Sequence, residues 1–566
     1  MSLRSALCLL FLVVPVVAHA ADGAAAARPP QAAIASANAQ ATDAGLEVLA
    51  AGGNAFDAAV AVSAALGLVE PESSGLGGGG FFLLKLSDGR EVFVDARERA
   101  PLAATRDMYL DAQGNPNRDQ TVNGPLAAAI PGLPAGLVHV ASKYGRLPLS
   151  KSLAPAIRLA ERGWAFGDKN ITMMGWRREV LSKNAAAARL FLPGGKVPAK
   201  GQRMRNPDYA RVLRRLAAEG HDGFYRGPLA RQLVDGVRAG GGNWVLEDLA
   251  QYTVVERAPI SFEYRGWRLV TAPPPSSGGA ALAQIFHVLS GYDLAGMSRV
   301  GRVHLLTEAM RRAYRDRAIY LGDPDFVKVP LELITSNVYA AGLRASISLQ
   351  KAMPSDLLPG INAEPERPDT THFSIIDAEG NLAAVTQTVN LPYGNAFVVP
   401  GTGFLLNNEM DDFSVKPGVP NAFGLVGEDA NAIAPGKRPL SSMTPTLLLG
   451  ADRVAVIGTP GGSRIITMVL LGLLELMDGK GAQDAASLPR FHHQYLPDVL
   501  SAEPGTFSDD EIAQLKARGH TVAPGERPWG NMQVVLWDRK ASTVEAGTDP
   551  RWKGVGKGEA VNQVFQ

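Results

Sequence analysis

The chain reads Pro368-Asp369-Thr370-Thr371-His372-Phe373-Ser374 at the start of an alternating strand pattern, and Thr388 follows eighteen residues after Thr370 (388 − 370 = 18). A hydroxyl is a weak nucleophile at neutral pH, but an N-terminal amine can activate a threonine. Such an α-amine titrates near ~7.7–8, so cleavage before Thr370 would give this residue both a nucleophile and a base. By itself, a threonine in a strand is more often structural, because its branched side chain fits a pleated surface.

Strand and helix patterns occur on both sides of this stretch. Strands are predicted at His372–Ile376, Leu382–Thr388, Thr446–Leu449 and Arg453–Ile457, with hairpins at Phe81–Asp95 and Val534–Ala546. Helices are predicted within Ala41–Leu66, at Ala280–Leu289, at Val303–Tyr320 and after Gly461-Gly462. Strands and helices in both halves favour a layered α/β body over a helical bundle or a β-sandwich.

Composition and charge limit the class of partner. The chain has 566 residues, 46% of them hydrophobic and 20% charged, enough for a large α/β body or two to four domains. Loss of Arg4 with a leader would leave 55 basic residues (56 − 1 = 55) against 55 acidic ones. This balance argues against a nucleic-acid or anionic-membrane partner, since both need a basic face. A small-molecule substrate is expected.

The N-terminus has the pattern of a secretory signal. Arg4 precedes the apolar run Ala6–Val17, and Ala18-His19-Ala20 fits a signal cleavage site. Residues 1–20 are therefore predicted to be a signal peptide, and the protein to be periplasmic or extracellular. Cys8, the only cysteine, lies inside it, so no disulfide is expected in the mature chain. No transmembrane span is predicted, because the apolar runs are too short.

Several unusual sequence strings occur in order from about residue 33 to the C-terminus. They are Ser74-Gly75-Leu76-Gly77-Gly78-Gly79-Gly80, Asp95-Ala96-Arg97-Glu98, Pro274-Pro275-Ser276-Ser277-Gly278-Gly279, Gly322-Asp323-Pro324-Asp325, Asn407-Asn408-Glu409-Met410-Asp411-Asp412-Phe413, Arg438-Pro439-Leu440-Ser441-Ser442-Met443 and Pro460-Gly461-Gly462-Ser463-Arg464. With these strings the chain resembles the gamma-glutamyltransferase (glutathione hydrolase) family of N-terminal nucleophile hydrolases.

The resemblance implies a four-layer αββα fold and a precursor that cuts itself between Asp369 and Thr370. The products would be a large subunit, 21–369, and a small subunit, 370–566, which together form one intertwined heterodimer. Thr370 would be the catalytic nucleophile. Thr388 would hydrogen-bond at the new N-terminus and orient the nucleophile, as the third member of a catalytic triad does.

The resemblance also assigns a substrate-binding set. Arg97 would bind the substrate α-carboxylate, because a guanidinium forms two parallel hydrogen bonds with a carboxylate. Glu409 and Asp412 would bind the α-ammonium group, with Asn390 adding a neutral contact. Without the resemblance, Arg97 would be interpreted as a surface arginine and the acidic residues as a solvated turn.

Two loops complete the predicted site. Ser441 and Ser442 would contact the carboxylate from its other side, although a serine pair is more often part of an ordinary loop. Gly461 and Gly462 precede a predicted helix, so their backbone N–H groups could stabilise an oxyanion; a Pro-Gly-Gly sequence is otherwise a turn. The run Gly77–Gly80 lacks the Gly-Lys-Ser/Thr ending of a phosphate loop, which favours close strand packing.

No metal or other cofactor is predicted. His492 and His493 are adjacent in the sequence, and neighbouring side chains on a strand point to opposite faces, so a structural role is expected. His372 lies near the nucleophile but is not predicted to be its base. The loop Pro417–Lys437 would form a lid, in which Phe423 replaces a hydroxyl-bearing aromatic found in many family members.

The predicted activity is cleavage of a γ-glutamyl amide, for instance in glutathione, with transfer of the γ-glutamyl group from Thr370 to water or to an amino acid or peptide. One alternative is an acylase on the same scaffold that acts on glutaryl-cephalosporins or γ-polyglutamate. Another is an exported binding protein that has lost catalysis, against which Thr370, Thr388 and the glycine pair argue.

Overall fold

The computed structural model describes residues 28–358, 370–552 and 555–563. The predicted signal segment 1–20 and Asp369 lie outside the described residues. The strands are β1 (Ala32–Ser36), β2 (Gly79–Lys85), β3 (Glu91–Ala96), β4 (Trp164–Ala165), β5 (Arg203–Met204), β6 (Val255–Arg257), β7 (Ile260–Tyr264), β8 (Trp267–Thr271), β9 (Thr371–Ile376), β10 (Leu382–Thr388), β11 (Thr446–Leu449), β12 (Arg453–Gly458), β13 (Phe491–His492), β14 (Leu500–Ala502), β15 (Val522–Pro524), β16 (Gln533–Asp538), β17 (Thr543–Thr548) and β18 (Lys557–Val561).

Helices flank these strands. They are α1 (Ala39–Ala50), α2 (Ala55–Val69), α3 (Arg118–Val122), α4 (Leu133–Tyr144), α5 (Leu149–Arg162), α6 (Asp168–Lys183), α7 (Ala185–Phe191), α8 (Pro207–Glu219), α9 (Asp222–Tyr225), α10 (Gly227–Ala239), α11 (Leu246–Ala250), α12 (Gly278–Leu289), α13 (Arg299–Tyr320), α14 (Leu331–Ile334), α15 (Asn337–Ala345), α16 (Ile465–Met477), α17 (Ala482–Ser487) and α18 (Asp509–Ala517). In the part of the chain that the structure describes, no helix is long and apolar enough to span a membrane.

Two antiparallel sheets pack face to face at the centre of the molecule. Within the described ranges, the first has seven strands in the order β18-β1-β9-β10-β2-β3-β6, and the second has six in the order β17-β16-β12-β11-β8-β7. Strand β9 contacts β12 and β16 across the interface between the sheets. Helices α1, α2 and α4 cover the outer face of the first sheet, and α12, α16 and α17 that of the second. This is the predicted αββα arrangement.

Alternating side chains on the strands divide the interior into two cores. Ile34, Phe82 and Phe373 lie in the cluster that contains the residues of α1, α2 and α4. Their neighbours Ala33 and Phe81 lie instead in the cluster between the sheets and under α12 and α16. Because successive strand residues point to opposite faces, a strand buried on both sides must be apolar almost throughout. Strand β2 meets this requirement, whereas β9 also buries Thr371, His372 and Ser374, whose side chains are hydrogen-bonded.

The hairpin of β9 and β10 brings both ends of the predicted catalytic segment together. Its turn is held by Asp377, whose Oδ1 accepts the backbone N–H groups of Glu379 and Asn381 at 3.0 and 2.9 Å. Gly380 has φ +91°, a conformation that glycine adopts without steric cost. In the resulting register Thr371 pairs with Gln387, so the residues just outside this pair, Thr370 and Thr388, are neighbours.

The glycine run before β2 packs against the same hairpin. A Cβ on Gly78 would lie 2.0 Å from the carbonyl oxygen of Thr388, and one on Gly77 would lie 2.0 Å from that of Leu405. Only glycine therefore lets this backbone approach so closely. The run supports the end of β10, in agreement with the close packing predicted from the sequence.

Candidate active site

Thr370 and Thr388 lie side by side at the end of the β9–β10 hairpin. Their Oγ1 atoms are 3.3 Å apart, a distance at which either hydroxyl can donate to the other. The Thr388 hydroxyl also accepts the backbone N–H of Asn390 at 2.7 Å, and Asn390 has the positive φ of 77° that makes this short turn possible. Thr370 is 4% exposed. The buried Thr370 hydroxyl thus contacts the Thr388 hydroxyl, whose orientation is fixed by the Asn390 N–H.

Nine of the ten predicted catalytic and substrate-binding residues line one small cavity at this point. They are Thr370, Thr388, Gly462, Arg97, Asn390, Glu409, Asp412, Ser441 and Ser442. The tenth, Gly461, lines a neighbouring larger cavity. The small cavity has a volume of about 20 Å³, which is room for roughly one water molecule. A larger ligand would therefore have to displace side chains that now fill the site.

Arg97 fills the site by pairing with its acidic neighbours. Its Nη1 donates to Glu409 Oε1, its Nη2 donates to Asp412 Oδ2 at 2.5 Å, and its Nε donates to the carbonyl of Pro439 at 3.1 Å. The Arg97 side chain is 1% exposed. Strand β3 ends at Ala96, and Asp95 Oδ1 accepts the Arg97 backbone N–H at 3.0 Å. Arg97 is thus paired with both carboxylates at once.

Burial shifts the ionisation of this cluster strongly. Loss of hydration raises the pKa of Glu409 well above its usual value, against the opposing effect of Arg97. Burial likewise raises the pKa of Asp412 and raises that of Glu98 to about 7. The neighbouring carboxylates raise the pKa of Arg97 above its usual value, although burial alone would lower it. Arg97 therefore stays protonated, whereas the carboxyl groups around it bind protons more readily than exposed carboxyl groups do.

The serine loop approaches the cavity beside a second arginine. Its backbone is fixed by the Ser277 N–H, which donates to the Ser441 carbonyl at 2.8 Å, while Ser441 Oγ accepts the Met443 N–H at 3.0 Å. Arg317, which sequence reasoning missed, lines the cavity and donates to Ser277 Oγ at 3.1 Å and to Ser442 Oγ at 3.4 Å. Burial lowers the pKa of Arg317 to about 10, so it stays charged at neutral pH.

The glycine turn lies beside the cavity of the two threonines, which Gly462 lines. Gly461 and Gly462 have φ values of +144° and +54°, conformations that favour glycine. A short 3₁₀ turn, Gly462–Arg464, leads directly into α16. The turn therefore lies at a helix N-terminus, where unpaired N–H groups and the helix dipole favour negative charge.

The histidines lie outside the cavity. His372 is buried between the sheets, where Thr386 Oγ1 and Ser374 Oγ lie 2.8 and 3.1 Å from its ring nitrogens, and burial lowers its pKa to about 3. The Nδ1 of His492 is 2.8 Å from Thr467 Oγ1, and the Nε2 of His493 is 3.0 Å from Asp498 Oδ1. No cluster of potential metal ligands occurs among the described residues.

Phe423 closes one wall of the cavity. It is 5% exposed, and the side-chain oxygen of Asn421 accepts its backbone N–H at 2.9 Å. Asn421 also donates to Asp412 Oδ1 at 3.3 Å, which ties this loop to the acidic cluster. The remaining wall is apolar and was not predicted from the sequence; it consists of Leu425, Met443 and Ile465.

Comparisons with known proteins agree with this site. The gamma-glutamyltranspeptidase family profile matches residues 41–559. The glutathione hydrolase proenzyme of Escherichia coli is 44% identical over 515 residues, covering 90% of this chain and 88% of that protein. The crystal structure of a cephalosporin acylase from Bacillus halodurans superimposes with a TM-score of 0.84 at 28% identity, covering 95% of this chain and 97% of the other. The gamma-glutamyltranspeptidase of Helicobacter pylori gives a TM-score of 0.56 at 38% identity, covering 57% and 93%.

The two packed antiparallel sheets with helices on both outer faces, together with these similarities, place the chain among the N-terminal nucleophile hydrolases. The chain belongs to the gamma-glutamyltranspeptidase family. The predicted family and fold class are confirmed, and so is the predicted enzyme class, gamma-glutamyl transfer and hydrolysis.

Proposed function

We propose that the chain cuts itself between Asp369 and Thr370 and then uses Thr370 to cleave γ-glutamyl amides, glutathione among them. The observation that carries the proposal is the position of Thr370, buried at the cavity wall with Thr388 Oγ1 at 3.3 Å. A freed α-amine at Thr370 would supply the base that a hydroxyl needs at neutral pH. Thr388 would hold the hydroxyl in the reactive orientation.

The polar residues of the cavity suit a zwitterionic head group. The α-carboxylate of a γ-glutamyl group would take over Arg97, with Ser441 and Ser442 donating from the opposite side. The released Glu409 and Asp412 would then bind the α-ammonium group, with Asn390 beside it. The existing ion pairs would thus be exchanged for pairs with the substrate, so that no buried charge is left without a partner.

The reaction would proceed in two half-reactions. The α-amine takes the proton of the Thr370 hydroxyl, and Oγ1 attacks the γ-carbonyl carbon while the N–H groups at Gly461 and Gly462 stabilise the oxyanion. The C–N bond breaks, the amine leaves with the proton, and a γ-glutamyl ester on Thr370 remains. Water then releases glutamate, or the amine of an amino acid or peptide takes up the γ-glutamyl group.

The mature form would be a heterodimer of residues 21–369 and 370–566, exported by the signal segment 1–20 and located in the periplasm or outside the cell. Both half-reactions use only side chains and backbone groups of this chain, and the proposal includes no metal or other cofactor.

A related acylase activity is the second candidate, because the fold is similar to that of the cephalosporin acylase. A glutaryl group has a carboxylate but no ammonium group. Glu409 and Asp412, both beside Arg97 in the cavity, would then have no cation to bind once Arg97 is engaged. This arrangement favours a γ-glutamyl substrate over a glutaryl one.

A Thr370→Ala variant tests the proposal. We expect wild-type protein to give two bands on a denaturing gel and Thr370→Ala to give a single uncut chain without activity. Thr370→Ser, which retains a hydroxyl, is the matched control and should still be cut. An efficiently cut, active Thr370→Ala protein would refute the assignment. Product analysis with glutathione, with and without an acceptor dipeptide, would then separate hydrolysis from transfer.

A further inference from the structure

Asp95 is a buried carboxylate two residues before Arg97. It belongs to strand β3 and is 0% exposed. Whereas Arg97 lines the small cavity, Asp95 lies outside the lining that the described residues form. Its Oδ1 accepts the Arg97 backbone N–H at 3.0 Å. A buried charge is costly unless it is paired, so the partners of Asp95 show which parts of the chain it holds.

The other oxygen of Asp95 faces two arginines. Its Oδ2 accepts Arg257 Nε at 2.9 Å and lies 3.4 Å from Arg438 Nε. The Arg438 side chain is 5% exposed. Burial alone would lower the pKa of Arg438, but the nearby negative charge of Asp95 raises it. One carboxylate thus joins the backbone of Arg97 to the side chain of Arg438.

Arg438 begins the loop that carries the two serines of the site. The chain continues from Arg438 through Pro439 to Ser441 and Ser442. Arg97 Nε donates to the Pro439 carbonyl at 3.1 Å. Arg97 and the two serines line the same cavity but belong to different segments of the chain. Their separation therefore depends on the contacts between these segments, and Asp95 makes one with each.

Tyr252 makes a second link between the same two segments. Its hydroxyl donates to the Arg97 carbonyl at 2.7 Å, and the Arg438 guanidinium lies 6.0 Å from its ring centroid. A cation at this distance is at the outer limit of attraction to an aromatic ring. The carboxylate of Asp95 is the stronger of the two links, because it pairs with a charged group.

We propose that Asp95 is a positioning residue for the α-carboxylate of the substrate: it sets the distance between Arg97 and the Ser441–Ser442 loop, so that both bind one carboxylate. This inference rests on the proposed function, since it assumes that these residues bind a γ-glutamyl head group. A site of this kind needs its donors held within roughly 0.5 Å of the required geometry. The proposed partners of the ammonium group lie on the separate turn Glu409–Asp412, so Asp95 acts on one end of the head group.

The test compares three inhibitors of γ-glutamyl amide hydrolysis: L-glutamate, its α-carboxamide and glutarate. The carboxamide lacks the charge of the α-carboxylate, and glutarate lacks the ammonium group. For the wild-type enzyme we expect each to bind about 10- to 100-fold more weakly than L-glutamate, since a hydrogen bond to a charged group has this effect.

Asp95→Asn keeps the size of the side chain but turns an N–H donor toward two arginines. It should lower the preference for L-glutamate over the carboxamide about tenfold and leave the preference over glutarate unchanged. A loosened fold would weaken both preferences together, so the pair of ratios separates positioning from stability.

Asp549 offers the matched control, because it is another buried aspartate in the same kind of network. Its Oδ2 accepts the Met532 N–H at 2.9 Å and Arg490 Nη2 at 2.7 Å, outside the lining of the small cavity. Asp549→Asn should lower the free energy of unfolding but keep both preferences at wild-type values. If Asp95→Asn yields no folded protein, Arg438→Lys tests the same link, since lysine keeps the charge but loses the guanidinium geometry. It should lower the same preference by a smaller factor.

An unchanged preference for L-glutamate over the carboxamide in the folded variants would overturn the inference. So would an equal loss of both preferences, or a wild-type enzyme that lacks the first one. A wild-type protein that neither hydrolyses γ-glutamyl amides nor binds L-glutamate would instead refute the proposed function.

Discussion

Replacement of Arg97 by lysine tests the substrate pocket most directly. The guanidinium now serves Glu409, Asp412 and the Pro439 carbonyl with three different nitrogens, a pattern that a single ammonium group cannot reproduce. In the substrate complex the variant would lose one of two hydrogen bonds to the α-carboxylate. Such a bond contributes about 1.5–3 kcal/mol, so KM should rise about 10- to 150-fold.

The assay is steady-state hydrolysis of a γ-glutamyl amide, together with chemical denaturation of each variant. We expect Arg97→Lys to change mainly KM, whereas Arg97→Ala should also lower the free energy of unfolding by about 3–5 kcal/mol, because it leaves buried carboxylates unpaired. Arg312, another buried arginine, pairs with Glu308 at 2.7 Å and lies outside the cavity lining. Arg312→Lys should therefore affect stability without affecting KM. An unchanged KM in Arg97→Lys would refute the assigned role.

Three further outcomes are expected at the same site. Thr388→Val removes a hydroxyl that accepts the Asn390 N–H, and a buried unpaired donor costs about 1–3 kcal/mol. We therefore expect slower self-cleavage, measured on gels, and a kcat about 10- to 100-fold lower, measured by single-turnover kinetics. Wild-type rates of self-cleavage and turnover in this variant would contradict the expectation. Burial raises the pKa of Glu409, so inhibition by L-glutamate should weaken as pH falls through that raised pKa; an inhibition constant that stays constant until the range of an ordinary carboxylate, near ~4.3, would argue against an ammonium site there. Arg317→Met should raise KM for γ-glutamyl amides about tenfold by releasing Ser442, whereas the half-buried Arg315, mutated in the same way, should have no effect.

Local sequence patterns were sufficient to predict the strands that carry the nucleophile. The prediction for β10 agrees with the structure at both ends, and β9 begins one residue earlier than predicted, since alternation and the turn after Ile376 are local properties. The nine predicted residues of the small cavity came from the family resemblance and not from periodicity. Their convergence depends on contacts between distant parts of the chain, such as Arg97 with Asp412, which no local pattern encodes.

Arg317 was missed for a physical reason. It belongs to α13, where charged residues such as Glu308, Arg311 and Arg312 are buried along with apolar ones. A helix with polar residues on buried faces gives no clear amphipathic signal. The separation of Gly461 and Gly462 onto two cavities was likewise not predictable, because it depends on the turn geometry before α16.

The strand order has a consequence for the lifetime of the cut protein. In the seven-stranded sheet, β1 from the N-terminal part lies between β18 and β9, and β2 pairs with β10. The six-stranded sheet joins β8 to β11 in the same way. Cleavage before Thr370 would thus break the backbone but leave these strand pairs hydrogen-bonded to each other. Once both fragments unfold, they must meet again by diffusion, so refolding would become concentration-dependent and slow. The mature enzyme would persist through the height of its unfolding barrier, and each molecule would in effect fold only once.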